Sequence, residues 1–183
     1  MSARMTGPAG ARTFRVAAPV DGPAVVDLVE SAYRGDSSRA GWTTEADLLG
    51  GQRTDLEAVD DLIGAEDSEI VLLHIDGELV ACCHLALEHA DSVYLGLFAV
   101  RPDAQGLGLG TAVVTEADRR ARAWRASRLR MTVISARVDL LAWYHRLGFE
   151  PTGATEPFPY GDERYGIPTV PDLEFVVLER AVT

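Results

Sequence analysis

The chain has 183 residues, 47% of them hydrophobic and 25% charged, which suits one globular domain with a full core and is short for two. Its formal net charge is −11 and all 17 basic residues are arginine, so nucleic acid is excluded as a partner and no lysine is available for Schiff-base chemistry. Neither a membrane-length apolar run nor the apolar centre of a signal peptide is present, so a cytoplasmic protein without membrane association is expected.

Residues 1–12, MSARMTGPAGAR, read as a disordered tail, which leaves 13–183 as one domain. TFRVAAP predicts a short opening strand. DGPAVVDLVESAY is an amphipathic helix with Asp21 placed to cap it. RGDSSRAGWTTEADLL is a polar loop running into a short helix near Thr44, and DLEAVDDLIG is a second short helix closed by Gly64. EIVLLHI and ELVACCHLALE flank Asp76-Gly77, a two-residue hairpin signal. Adjacent Cys82 and Cys83 point to opposite faces of their strand, so they read as buried free thiols. VYLGLFAV is the next strand, followed by a glycine loop and a helix over 109–127 with Val113, Ala117, Ala121 and Trp124 inward. RLRMTVIS is a strand, DLLAWYHRLG a helix with Gly148 at its C-terminal cap, and FEPTGAT and LEFVVLERAV a final strand pair.

Several strands ahead of a strand–helix–strand–helix–strand passage predict an α/β domain with a mixed sheet. The sheet starts antiparallel and contains one parallel pair, where 93–100 meets 128–135 through a right-handed crossover.

The loop AQGLGLGT carries the strongest functional signal. It leaves an apolar strand and opens a helix, where unpaired N–H groups and the helix dipole favour an anion. Glycines at 106, 108 and 110 allow a backbone nest around a diphosphate. The spacing is G-x-G-x-G rather than the dinucleotide fingerprint G-x-G-x-x-G, and no lysine follows Gly110 as a P-loop requires. A glycine turn that binds nothing is the plain alternative.

QGLGLG, with Gln105, Gly108 and Gly110, resembles the Q/R-x-x-G-x-G/A pyrophosphate loop of the GNAT superfamily of acetyl-CoA-dependent N-acetyltransferases. Val100, Pro102 and Gln105 resemble that family's strand end, and Tyr144, Gly148 and Phe149 in LLAWYHRLGF resemble its Y-x-x-x-G-F. Where many members carry Asn and Ala ahead of the tyrosine, this chain has Arg137 and Leu140.

The resemblance implies a GNAT-like fold of about seven strands and acetyl-CoA as acetyl donor, with no metal. It implies that Phe98, Ala99 and Val100 align the thioester arm through their backbones. Gln105, Gly106, Leu107, Gly108, Leu109, Gly110 and Thr111 would hold the diphosphate. Tyr144 would protonate the departing thiolate. Some members carry a base where this chain has Tyr94; Glu88 and His84 on the preceding strand are alternatives, acting through water. Gly96 in the same strand reads as a bulge or a close approach. The six arginines between 119 and 130 read mainly as a solvated face, some within reach of the coenzyme's 3′-phosphate.

The acceptor would lie against two loops carrying Tyr33, Trp42, Glu45, Phe158 and Tyr160, with Glu45, Asp162 and Glu163 available to a cationic amine. The implied reaction moves an acetyl group to a primary amine of a small molecule or peptide. A non-catalytic acyl-CoA sensor of the same fold is the rival reading, and a homodimer is left open.

Overall fold

The structure, a computed structural model, describes residues 10–89 and 91–183. In chain order the elements are β1 (Arg12–Val16), α1 (Gly22–Tyr33), α2 (Gly35–Ser38), β2 (Leu49–Gly50), α3 (Leu56–Gly64), β3 (Ser68–Ile75) and β4 (Glu78–His89). They continue with β5 (Ser92–Val100), α4 (Leu109–Ala123), β6 (Arg128–Ile134), α5 (Val138–Arg146), β7 (Glu150–Pro157), β8 (Ile167–Pro168) and β9 (Glu174–Ala181). A seven-stranded sheet runs β1-β3-β4-β5-β6-β9-β7, and β2 pairs with β8 apart from it. Within the large sheet only β5 and β6 run parallel, as the intervening helix α4 demands. The mixed α/β expectation therefore holds.

Alternation along the central strands feeds two cores. Ile70, Leu72 and Cys82 face α1 and α3, where Val25, Val29 and Val59 meet them. Val71, Leu73, Cys83 and Leu85 face α4 and α5, where Val113, Ala117, Ala121, Tyr144 and Phe149 meet them. Both cysteines are free and buried, on opposite faces. Burial pushes the Cys82 thiol up to about 12, so it is inert.

Asp76 and Gly77 both take positive φ, 51° and 87°, and close the β3–β4 hairpin. Several local expectations are corrected. Residues 1–9 of the expected tail lie outside the described residues, but Arg12 already pairs with Ile75 and Ala11 N–H donates to Asp76. Asp21 does not cap α1 with its side chain. Its carboxylate binds Arg15 at 2.7 Å and accepts the Ala18 N–H, and the Arg15 hydrogen bond first of all lowers its pKa to about 2. The helix expected near Thr44 is absent; a short helix occurs earlier, at α2, and 43–48 is held by ion pairs described below. Gly64 stays helical, and Ala65 leaves the helix in extended conformation.

The parallel pairing of β5 with β6 is short: Ser92, Val93 and Tyr94 against Arg128, Leu129 and Arg130. Beyond it the strands part. The cause lies in β5, whose register against β4 slips between the His84–Gly96 and Cys82–Ala99 pairs, with Leu97 at φ 43°. An irregularity of this kind bends and twists a strand. It sits at Leu97, next to the expected Gly96. Gly96 serves the Tyr94 ring instead, since a Cβ there would stand 2.6 Å from Tyr94 Cε1.

Two helices end in the same way. After α5, Gly148 N–H bonds to His145 O and Phe149 N–H to Tyr144 O, with Gly148 at φ 85°; this motif drives Phe149 into the core beside Tyr144. After α4, Arg125 N–H bonds to Arg122 O and Ala126 N–H to Ala121 O, but here an arginine takes φ 62°. Arg125→Gly is expected to raise stability by about 0.5–1 kcal/mol, because glycine carries no Cβ penalty in that conformation. Urea unfolding checks this; a lower midpoint counts against it.

Candidate active site

Two clefts lie beside the strand ends where the β5–β6 pairing has stopped. The first, about 370 Å³, is bounded by Phe98, Ala99 and Val100 on β5, the loop from Gln105 to Thr111, and Leu140, Trp143, Tyr144 and Arg146 on α5. The second, about 740 Å³, is bounded by Glu88, Tyr94, Thr132, Tyr165 and the loop residues Glu45 and Arg53. Tyr33, Phe98, Arg137, Leu140 and Tyr144 belong to both walls. The two spaces therefore meet at these side chains.

The alternation of leucine and glycine in the loop now has a physical reason. Leu109 is buried in the core and Leu107 packs against it. Those leucines anchor the loop while the intervening glycines face outward. Gly106 and Gly108 take φ 79° and 76°, and a Cβ on either would meet nothing within 4 Å. Gly110 is helical, and its lack of a side chain lets Trp143 approach to 3.0 Å of a notional Cβ. Gly108 is the N-cap residue of α4, a 15-residue helix whose first turn lines this cleft through Gly110 and Thr111. Gln105 braces the loop: its Nε2 donates to Val100 O (3.1 Å) and its Oε1 accepts the Trp42 N–H (3.0 Å).

Tyr144 is 4% exposed and ringed by Phe98, Trp143 and Phe149, the last at 5.6 Å between centroids. Burial holds its phenol well above the usual 10. Among the described residues its hydroxyl has no hydrogen-bond partner. The Tyr33 hydroxyl, by contrast, donates to the Phe98 carbonyl. The carbonyls of Phe98 and Val100 thus already accept hydrogen bonds from Tyr33 and Gln105.

The base candidates separate. Tyr94 Oη lies 3.2 Å from Thr132 Oγ1, and Glu88 is 3.2 Å from Arg130; both residues line the larger cleft. His84 lines neither cleft. It is buried against Ser68 (2.8 Å), whose hydroxyl donates to Leu62 O, so His84 Nε2 is the donor of that pair. Burial lowers its pKa to about 4, and it stays neutral.

The residues expected at the acceptor fall in different places. Tyr33 stands at the junction. Trp42 lines the smaller cleft and leans on Trp143 at 6.3 Å. Glu45 faces the larger cleft, but both its oxygens are taken, by Arg34 and Arg137, each at 2.9 Å. Burial works to raise its carboxyl; Arg137, Arg53 and Arg34 outweigh that and hold it below the usual carboxylate range. It is therefore a buried counter-ion, with no lone oxygen for a cationic amine. Phe158 is buried with Leu49, Ile134 and Leu173 in a small separate cluster, and Asp162 binds Arg164. Of the six arginines from 119 to 130, all but Arg125 pair with carboxylates among the described residues, and none lines the smaller cleft.

Thr43, Trp143 and Arg146 on the smaller cleft and Arg53 on the larger were missed from the sequence. The helical spacing of Leu140, Trp143 and Arg146 could have flagged two of them. Thr43 and Arg53 lie on loops, with no periodicity to read.

The sequence profile described as "Acetyltransferase (GNAT) family" matches residues 28–149, more than half of the chain. The chain belongs to the GNAT acetyltransferase family. Solved structures agree in fold. This acetyltransferase superposes on the ribosomal-protein-S18-alanine N-acetyltransferase from Escherichia coli with a TM-score of 0.69 at 16% identity, covering 94% of this chain and 95% of that one. On Ard1 from Thermoplasma volcanium the TM-score is 0.70 at 19% identity, with 94% and 99% covered. A GNAT family acetyltransferase from Elizabethkingia anophelis, solved with acetyl-CoA bound, gives 0.64 at 16% identity, with 93% and 97% covered. No curated protein sequence matches the chain.

The enzyme is an acyltransferase with acetyl-CoA as its donor. The smaller cleft fits that molecule on its own geometry: an outward glycine cradle at a long helix's N-terminus suits a diphosphate, and Phe98, Ala99 and Val100 line the same cleft beside it. No group of three or more metal-ligating side chains occurs among the described residues. No described helix is long and apolar enough to cross a membrane.

Proposed function

We propose that this acetyltransferase transfers the acetyl group directly to a primary amine, with Tyr144 as general acid. The observation that carries the reading is the meeting of two clefts at Tyr144, one fitted to the donor and one open to an acceptor. An amine entering from the larger cleft attacks the thioester carbonyl carbon. A carbon–nitrogen bond forms, the carbon–sulfur bond breaks, and sulfur leaves with the bonding pair. Tyr144 gives that sulfur its hydroxyl proton. Its raised pKa keeps the proton in place at working pH, and no protein acceptor competes for it among the described residues.

The backbone N–H groups at the bent edge of β5 near Phe98 are the donors for charge growing on the acyl oxygen. The amine must first lose a proton. Glu88, on the wall of the larger cleft, takes it through water, with the hydroxyls of Tyr94 and Thr132 relaying it, and the proton that nitrogen sheds after attack restores Tyr144 through solvent. Residues 105–111 grip the diphosphate, and residues 13–183 work as one domain.

Mass spectrometry of products from acetyl-CoA with matched amines and alcohols tests the reading. Acetamides from primary amines are expected. Esters alone, with no amide, contradict it.

A further inference from the structure

The larger cleft is unevenly charged. At one end Arg130 sits between two carboxylates, Glu88 at 3.2 Å and Glu156 at 2.5 Å. At the other end cations prevail: Arg34 and Arg137 pair with the single carboxylate of Glu45, and Arg53 stands close by. The further carboxylate near Arg53, that of Glu30, already accepts the backbone N–H groups of Arg53 (2.5 Å) and Thr54 (2.8 Å).

Arg53 differs from its neighbours. Arg34 and Arg137 spend donors on Glu45. The Arg53 side chain lines the cleft and makes no hydrogen bond or ion pair to any described residue. It rests on the Tyr33 ring, with Cζ 5.2 Å from the centroid. Five donors in a rigid planar fork, half-buried and unspent, match a carboxylate's two oxygens. The tyrosine face fixes the plane of the fork before any ligand arrives, which lowers the cost of binding. Tyr33 in turn donates to the Phe98 carbonyl, so Arg53 stands one aromatic ring from the junction of the clefts.

We propose that Arg53 seats a carboxylate of the acceptor, so that the enzyme's amines are amino acids rather than neutral amines or polyamines. This rests on the amine-acetylation reading and narrows it. The overall charge of −11 would by itself suggest a cationic guest. The local excess of guanidinium at Arg34, Arg53 and Arg137 opposes one.

Two measurements test the proposal. Thiol release from acetyl-CoA is compared for amino acids and for the same amines lacking the carboxylate, such as leucine and isoamylamine. Calorimetry then measures binding of the same pairs to the enzyme–CoA complex, which needs no turnover. The carboxylate is expected to improve kcat/KM and affinity by about 10-fold or more, as a bidentate charged pair does. Arg53→Met should erase that preference, Arg53→Lys should keep part of it, and acetyl-CoA affinity should hold in both. Equal handling of each pair by the wild-type enzyme, or a preference that survives Arg53→Met, overturns the proposal. Carboxylate-selective, Arg53-dependent binding without turnover supports the seat and tells against amine acetylation instead, so the two failures are distinct.

Discussion

Gly108→Asp is expected to weaken acetyl-CoA binding by about 100-fold or more while leaving the fold intact. A Cβ at Gly108 meets nothing within 4 Å, and aspartate tolerates the left-handed φ of 76° better than most residues. The new carboxylate instead stands where a diphosphate must sit, and like charges brought together cost several kcal/mol, with each 1.4 kcal/mol worth a factor of ten. Calorimetry with acetyl-CoA and a thermal melt separate the effects. An unchanged melt with normal affinity would show that the glycine cradle is not the diphosphate site.

Tyr144→Phe should lower kcat by about 100-fold, within the range general acids supply. Acetyl-CoA affinity should change little. The phenyl ring keeps the packing against Phe98, Trp143 and Phe149, and the lost hydroxyl leaves no partner stranded among the described residues. A drop in kcat with unchanged affinity and melting point identifies a proton donor. Unchanged turnover removes Tyr144 from the chemistry.

Local features were legible where the physics is local. Asp76-Gly77 specifies its turn through two positive-φ positions, and alternation in β3 and β4 marks both buried faces. The glycine loop was legible as a turn that opens a helix; that Leu107 and Leu109 are its anchors became visible only with the core around them. Tyr144, Gly148 and Phe149 were legible through their resemblance to a family motif, and the helix end they form packs Phe149 against Tyr144.

What failed to show in the sequence depends on distant partners. Glu45 looked available to a cation because Arg34, Arg53 and Arg137 lie on other segments, and their convergence has no local signature. No helix forms at 43–48, where Glu45 makes these pairs. Phe158, flanked by prolines, looked like a pocket wall but closes a small core with Leu49 and Leu173. Leu97 bends β5 with a positive φ that its side chain gives no hint of, and that bend opens the sheet for both clefts.

In the proposed reaction, two clefts joined at Tyr144 carry acetyl from donor to amine. Thiol release from acetyl-CoA, measured across a panel of amines with the wild-type enzyme, tests it most directly. Saturable, amine-dependent release is expected for at least one class of primary amine. Tight acetyl-CoA binding with no amine-dependent release anywhere in the panel would contradict it.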